Sequence, residues 1–564
     1  VPLATVASLE DDGSWLIFLD ETGLGERIAE RLRQEGRAVA TARQEPGLDY
    51  AALLRGRPAH VIHLWGVTAG EPSDREAQEA GLLSLVKLAQ AVSGDPMHVT
   101  VVANDLHEVL DGDPVHPAKA TVLGAVKVIH QESAGLSCAS VDVGPSSDRL
   151  VDQILAEARL GAAAGGSAVA LRGRQRWLRD FAPVSLPAAG VSLVKPGGAY
   201  LITDGQHGAV LADFLVSRLD ARVAMVGEAR PGVISLPAGE PAAVLAAARA
   251  ALGKIHGVFH TGGAFTGGLV QLKTAESLLA SIEPVMQGAE AWLSAIDQET
   301  DRPDFVLLMS STLAFTGGLG QLDLAAGGTF LDALAQRQGS VGKTRTLVAH
   351  WDPYQWHGWL VAAAGGLAGL QPDEVEQSLD AWGISAEKSG DALLRLLASG
   401  LSRVVISSRP VHGLIAEADA VTAETFLAQV GGFHGGANAS GEKAARPALS
   451  TPYAAPRDER EETLVTLWEE LFGIAPLGVD DSFLELGGHS LLAIQMVTQI
   501  RNRLAADLPV TALFESPTIA ELARAVARAK GEESEEDLAA LLALVEGLSP
   551  EEAAAKLAAM ETAH

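Results

Sequence analysis

The sequence predicts an α/β protein: two doubly wound parallel-sheet units, then a small all-helical bundle. Three observations predict it. Short, continuous apolar runs alternate with helical patterns through about residue 430, as buried parallel strands and their crossover helices do. One strand–glycine turn–helix plan occurs twice, in SWLIFLDETGLGERIAERLRQEG (14–36) and GAYLITDGQHGAVLADFLVSRLDA (198–221). Beyond a Gly/Ala/Pro-rich stretch, the apolar spacing becomes helical only.

The elements follow in order. In the first unit, strands are expected at HVIHLWG (60–66), HVTVVAN (98–104) and SCASVDV (137–143). In the second they are expected at RVAMVG (222–227), GVFHTGG (257–263), DFVLLMSS (304–311) and TLVAHW (346–351). Both units are Rossmann-like on this reading and span 1–185 and 186–432. Residues 433–457 are expected to be linker. Helical spacing in EETLVTLWEELFG (461–473), LLAIQMVTQIRNRL (491–504) and TIAELARAVARAK (518–530) gives the bundle, 458–530. The tail, 531–564, holds nine acids and one lysine, and is expected to form two short amphipathic helices that could dock a partner.

Composition excludes several function classes. The 564 residues carry a net charge of −29, which repels nucleic acid and anionic membrane surfaces. The most apolar stretch, near WLVAAAGGLAGL (359–370), is too short and glycine-rich to span a bilayer. The opening VPLATVASLEDDG has no basic start or apolar segment, so no targeting signal is expected. A single cysteine, Cys138, rules out an internal disulfide and fits a cytoplasmic location, with the thiol as a small core residue. The scattered histidines show no metal-ligand spacing.

Ser490 stands where a glycine pair, Gly487 and Gly488, meets a helical pattern. A phosphodiester on its hydroxyl would face the positive end of a helix, and the glycines allow close approach by another protein. The segment DDSFLELGGHSLLAIQMVTQI (480–500) resembles the phosphopantetheine attachment site of acyl and peptidyl carrier domains. That resemblance implies 4′-phosphopantetheine on Ser490, installed by a phosphopantetheinyl transferase, with a thiol that holds an acyl chain as a thioester. His489 is read as recognition surface.

The second unit resembles the ketoreductase domains of modular polyketide synthases, a short-chain dehydrogenase class, and the first resembles their structural half. The resemblance rests on GVFHTGGAFTGGLVQLKT (257–274), IEPVMQGAEAWL (282–293), DFVLLMSSTLAFTGGLGQ (304–321), TFLDALAQRQG (329–339), HWDPYQWHGW (350–359) and LASGLSRVVIS (397–407). It implies a proton-donating Tyr, a Lys that lowers its pKa, and a Ser and an Asn beside them. Only Ser311 remains. Leu324 stands at the Tyr position, Gly328 at the Asn position and Val285 at the Lys position after Pro284. Tyr50, Tyr200, Tyr354 and Tyr453 offer no substitute, since none is followed by Lys at the fourth position.

The family's nucleotide turn, roughly TGGxGGxG, reads TDGQHGAV here. Thr203, Gly205 and Gly208 remain, but Asp204 places an anion where a pyrophosphate needs positive charge, and Glu228 stands near the position of the phosphate-binding Arg. Arg230–His256 reads as too short for the usual helix and strand. Asp323 and Asp332 read as solvated or capping groups. TGLG (22–25) in the first unit lacks a second phosphate-binding glycine pattern.

The expectation is a fragment of a polyketide or hybrid polyketide–peptide synthase module. Its ketoreductase-like domain would be a redox-inactive scaffold without NADP, leaving the β-keto group unreduced, and its carrier would do the covalent work. Ketosynthase and acyltransferase domains would be its partners, with a downstream synthase subunit at the tail. The alternatives are a non-redox epimerase or a residual NADPH-dependent β-ketoacyl reductase, the latter with its acid moved to His207 or Asp323.

Overall fold

A computed structural model describes residues 13–352 except 93–95, 134, 146, 148, 162–165, 187–192, 228 and 262–266. It also describes 384, 386–420, and 443–530 except 444, 448, 450, 484, 487–489, 507 and 509–511. Glu228, Tyr354, the 359–370 run and the 531–564 tail lie outside these residues. The chain divides into two compact units, Val1–Phe426 and Leu427–His564.

The first unit contains two seven-stranded sheets. One runs β2-β1-β3-β4-β5-β6-β7, from β1 (Trp15–Phe18), β2 (Val39–Ala42), β3 (His60–Gly66), β4 (Met97–Asn104), β5 (Leu136–Val143), β6 (Ala168–Arg172) and β7 (Gln175–Leu178). All its pairs are parallel except the β6–β7 hairpin. The other runs β10-β9-β8-β11-β12-β13-β14, from β8 (Ala199–Ile202), β9 (Arg222–Val226), β10 (Val233–Leu236), β11 (Gly257–His260), β12 (Phe305–Ser311), β13 (Thr346–Trp351) and β14 (Arg403–Ile406). This sheet is wholly parallel.

Each sheet reverses strand order beside its first strand, β1 or β8. That is where an open α/β sheet forms its crevice. The helix after each first strand, α1 (Leu24–Gln34) and later α7 (Gly205–Leu219), opens at that crevice. Within Arg230–His256 the chain forms both β10 and a helix, Pro241–Leu252, so the expected shortening is corrected. The helix fits because Pro241 starts its first turn, where a missing N–H costs nothing.

Two helices join the halves. α5 (Thr121–Glu132) packs on α11 (Leu322–Val341), and one continuous apolar core runs from Val61 and Val99 through Val126, Ala325 and Phe330 to Val258 and Val306. In chain order, α2 (Tyr50–Leu54), α3 (Asp74–Gln78), α4 (Ser84–Ala91) and α6 (Leu150–Ala158) belong to the first half. The Pro241–Leu252 helix (α8), α9 (Ala275–Gln298) and α10 (Leu313–Thr316) belong to the second. They are followed by α12 (Ala386–Ser399) and α13 (Val411–Ala420). A Cβ on Gly124 would come within 2.5 Å of the Ala325 and Ala326 backbone, so only glycine lets α5 come this close.

The second unit is a helical bundle of α14 (Glu459–Phe472), α15 (Ser490–Leu504), α16 (Ala512–Glu515) and α17 (Ile519–Lys530). Trp468, Phe483, Met496, Ile500, Leu513 and Val526 fill its centre. Within the stretch expected to be linker, the Ala454 carbonyl accepts from Val479 N–H at 2.9 Å. The Arg446 guanidinium grips buried Asp481 at 2.5 and 2.9 Å. Asp481 belongs to the acidic lead-in to Ser490, and it also accepts from Gly478 N–H at 2.8 Å.

Two outcomes follow. Gly124→Val should destabilise the α/β unit by about 2 kcal/mol or more through overpacking, read as a lower midpoint for that unit in chemical denaturation. Burial also pushes His63 down to about 3 and His98 and His260 to about 4. Unfolding therefore takes up protons below the ordinary histidine range. Stability from these groups should be intact above pH ~6.5 and decline as pH falls toward 4, measured as unfolding free energy against pH.

Candidate functional site

The crevice of the second half is lined from the carboxyl ends of β8, β11, β12 and β13. After β8 come Thr203 and Asp204, then α7 begins at Gly205. Gly208 allows tight packing of helix on strand: a Cβ there would lie 2.2 Å from Ile202 Cγ2. The Thr203 hydroxyl lies 3.0 Å from His260 Nδ1, and Thr261 donates to the Asp204 carbonyl at 3.0 Å. The turn thus keeps one structural glycine but sets an acidic residue directly before the helix.

In the first half the equivalent position is filled by the chain itself. The Asp20 carboxylate accepts from the N–H groups of Thr22 at 2.8 Å, Leu24 at 3.3 Å and Gly25 at 2.6 Å. These donors at the start of α1 would otherwise face a phosphate. The TGLG turn therefore holds an internal anion.

At the catalytic positions, Ser311 ends β12, and its Oγ accepts from Leu313 N–H at 3.3 Å, at the start of α10. Leu324, in the first turn of α11, is 3% exposed, and Val285, one residue past Pro284 in α9, is 1% exposed. A Cβ on Gly328 would come within 2.9 Å of Ala314 Cβ and 3.2 Å of Ser310 Oγ, which leaves no room for an asparagine without a shift. Among the described tyrosines, Tyr200 spends its hydroxyl on the Lys195 backbone. Tyr50 lies in α2, its phenol pushed up to about 12 by burial, and Tyr453 lies in the second unit.

Asp323 needs correction. Expected at the surface, it is 0% exposed and sits at the centre of a buried polar cluster. Its Oδ2 accepts from Lys273 Nζ at 3.0 Å, Ser281 Oγ at 2.8 Å and Gly267 N–H at 3.2 Å. Ser281 lies one helical turn before Val285. Lys273 was missed by sequence reasoning; the available signal was a lone cation in the apolar run LVQLKTAESLL. Asp332 is likewise buried. Its carboxylate meets Arg179 at 2.9 Å, Arg403 at 2.6 and 3.1 Å, and His350 Nε2 at 3.1 Å. Burial would raise its pKa, but Arg403 and Arg179 outweigh this and hold the carboxyl well below the usual range. In both cases the missed partner is distant in sequence.

The first half also reaches the loop between Ser311 and Leu324. From the end of α5, Gln131 Nε2 donates to the Thr316 carbonyl at 2.7 Å. Glu132 accepts from Gly320 N–H and Val270 N–H, each at 2.6 Å. Burial pushes the Glu132 carboxyl up to about 7 against the pull of these donors.

In the bundle, Ser490 is the first residue of α15; Gly487, Gly488 and His489 lie outside the described residues. Cys138 is buried in β5, its thiol pushed up to about 12, and it has no reactive character. Among the described residues no group of side chains could hold a metal, and no helix is long and apolar enough to cross a membrane.

These features define a ketoreductase-type α/β unit together with a carrier-type bundle. Residues 198–355 match the KR domain family, and residues 462–526 match the phosphopantetheine attachment site family. The chain therefore carries a ketoreductase domain and a carrier domain of the kind that bears covalent phosphopantetheine. Its relatives are polyketide and peptide synthases. Erythronolide synthase EryA2 of Saccharopolyspora erythraea is 27% identical over 551 residues, 91% of this chain and 15% of the relative. Polyketide synthase ThaG of Burkholderia thailandensis is 28% identical over 346 residues, 54% of this chain and 6% of the relative. Tyrocidine synthase 3 of Brevibacillus parabrevis is 49% identical over 80 residues, 14% of this chain and 1% of the relative. The chain thus spans a small part of each of these proteins. A C2-type ketoreductase from a modular polyketide synthase shares the fold, with a TM-score of 0.57 at 19% identity over 73% of this chain and 95% of that one.

A buried ion pair that loses one partner strands the other charge. Asp323→Leu alone should cost about 3–5 kcal/mol. The double variant Asp323→Leu/Lys273→Met should recover most of that loss, both read by chemical denaturation.

Proposed function

We propose that this chain is part of a polyketide or hybrid synthase module in which the carrier does the covalent work and the ketoreductase domain is a redox-inactive scaffold. Ser490 would carry the phosphopantetheine, placed there by a phosphopantetheinyl transferase. Ketosynthase and acyltransferase domains of the same or neighbouring chains would load and extend the thioester. The β-keto group would pass on unreduced.

The observation that carries this reading is the apolar character of both proton-handling positions. Leu324 and Val285 are core side chains, and neither can donate or relay a proton. Asp323, the acid beside Leu324, accepts three hydrogen bonds through one oxygen, the geometry of a bound carboxylate, and this argues against it as a relocated acid. Removing one well-placed donor costs a reaction about two or three decades of rate. Here the acid and its lysine are both replaced, and Asp204 opposes a pyrophosphate at the nucleotide turn.

Two measurements test the reading. NADPH titrated into the protein should show no saturable fluorescence change, and a model β-ketothioester should not consume NADPH. Tight binding or turnover would remove the scaffold reading. Treatment with coenzyme A and a phosphopantetheinyl transferase should add one phosphopantetheine mass, lost in Ser490→Ala; an equal gain in both proteins would remove the assignment of Ser490.

A further inference from the structure

The chain just before the bundle is bound to the loop that leads to Ser490. Asp481, in that loop, is 0% exposed. Arg446 reaches it from 35 residues away with two N–H groups, Nη2 on Oδ1 at 2.5 Å and Nε on Oδ2 at 2.9 Å. Two parallel bonds are the geometry in which a guanidinium holds a carboxylate most firmly. Oδ2 also accepts from Gly478 N–H at 2.8 Å, within the loop itself. Arg446 Nη2 donates as well to the Thr451 carbonyl at 2.7 Å, which folds its own segment around the pair.

The same loop is braced at two further points. Val479 N–H bonds the Ala454 carbonyl at 2.9 Å, and Phe483 N–H bonds the Pro517 carbonyl at 2.7 Å. Pro517 lies within 462–526, the region that matches the carrier family, whereas Arg446 and Ala454 lie before it. Two of the braces therefore come from a stretch that reads as linker. The loop ends at Leu486, whose N–H donates to the Ser482 carbonyl at 3.1 Å, four residues before Ser490. A loop held in this way presents the serine in few arrangements. A loose loop would have to be ordered by the protein that approaches it, and apparent affinity falls with the fraction of competent conformers.

We propose that Arg446 is a positioning residue for the modification of Ser490: it fixes the 478–486 loop, so the segment before α14 is part of the substrate that a phosphopantetheinyl transferase meets. The proposal rests on Ser490 as the attachment serine. In that reaction the serine oxygen bonds to the pantetheine-side phosphorus of coenzyme A, the pyrophosphate bond breaks, 3′,5′-ADP leaves and the serine proton is released. Arg446 takes no part in those bonds and acts through Asp481.

Initial rates of modification of the full chain by a phosphopantetheinyl transferase and coenzyme A, read as mass gain, test this. Arg446→Met should raise KM for the carrier about tenfold and leave kcat within about twofold of the parent. Arg446→Lys keeps the charge but not the paired donors, and should recover part of the loss. Hydrogen exchange followed by mass spectrometry should quicken across 478–486 in Arg446→Met while α14 keeps its protection. If α14 loses protection too, the bundle has unfolded, and Arg446→Met/Asp481→Asn replaces the single variant. The double variant strands no buried charge and leaves Gly478 N–H an acceptor, and the same rise in KM is expected. A folded variant with the parental KM, a loss confined to kcat, or a lysine variant no better than methionine would each overturn the proposal. No mass gain in the parent chain would remove the assignment of Ser490, and the role of Arg446 with it.

Discussion

The α5 backbone can lie on α11 because position 124 has no side chain, and both sheets are organised around that contact. A parallel sheet must be covered on both faces. Here each half lends a helix to the other, so one apolar core serves two sheets. The contact also sets the geometry of the crevice. The end of α5 carries Gln131 and Glu132, which hold the loop that links Ser311 to Leu324. A half with no catalytic positions of its own thereby determines where the catalytic loop of the other half sits.

The unit has two buried carboxylates on α11, and they differ in what surrounds them. Asp323 is enclosed by an ammonium, a hydroxyl and an amide, all aimed at one oxygen. It cements α9, α11 and the turn before them, and it sits beside the positions where a reductase would keep its proton machinery. Asp332 lies two turns further on and is shared by Arg179, Arg403 and His350 at the edge of an open cavity. Desolvated charge is costly unless partnered, and both sites meet that requirement.

Much of the fold could be read from local pattern. Continuous apolar runs located β3, β4, β5, β9, β11, β12 and β13 to within a few residues, because buried parallel strands have no polar face to interrupt them. The edge strands β2, β7, β10 and β14 were not recognised. Their exposed positions break the run, as in QRWL of β7 and VISL of β10. At the candidate site, single-position reasoning identified Leu324, Val285, Gly328 and Ser490 as the residues to inspect. It could not see that Lys273 reaches Asp323 across 50 residues, or that Arg179 and Arg403 converge on Asp332 from 153 and 71 residues away. Sequence spacing carries no information about such pairs. An aspartate bound this way looks like any surface acid until the chain is folded.

The Asp20 carboxylate at the start of α1 has a thermodynamic consequence. A turn whose amides wait for a soluble phosphate gains stability only in proportion to the logarithm of that ligand's concentration. A tethered carboxylate is always present, at an effective concentration set by covalent geometry. The start of α1 therefore keeps its anion whatever the concentration of phosphate around it.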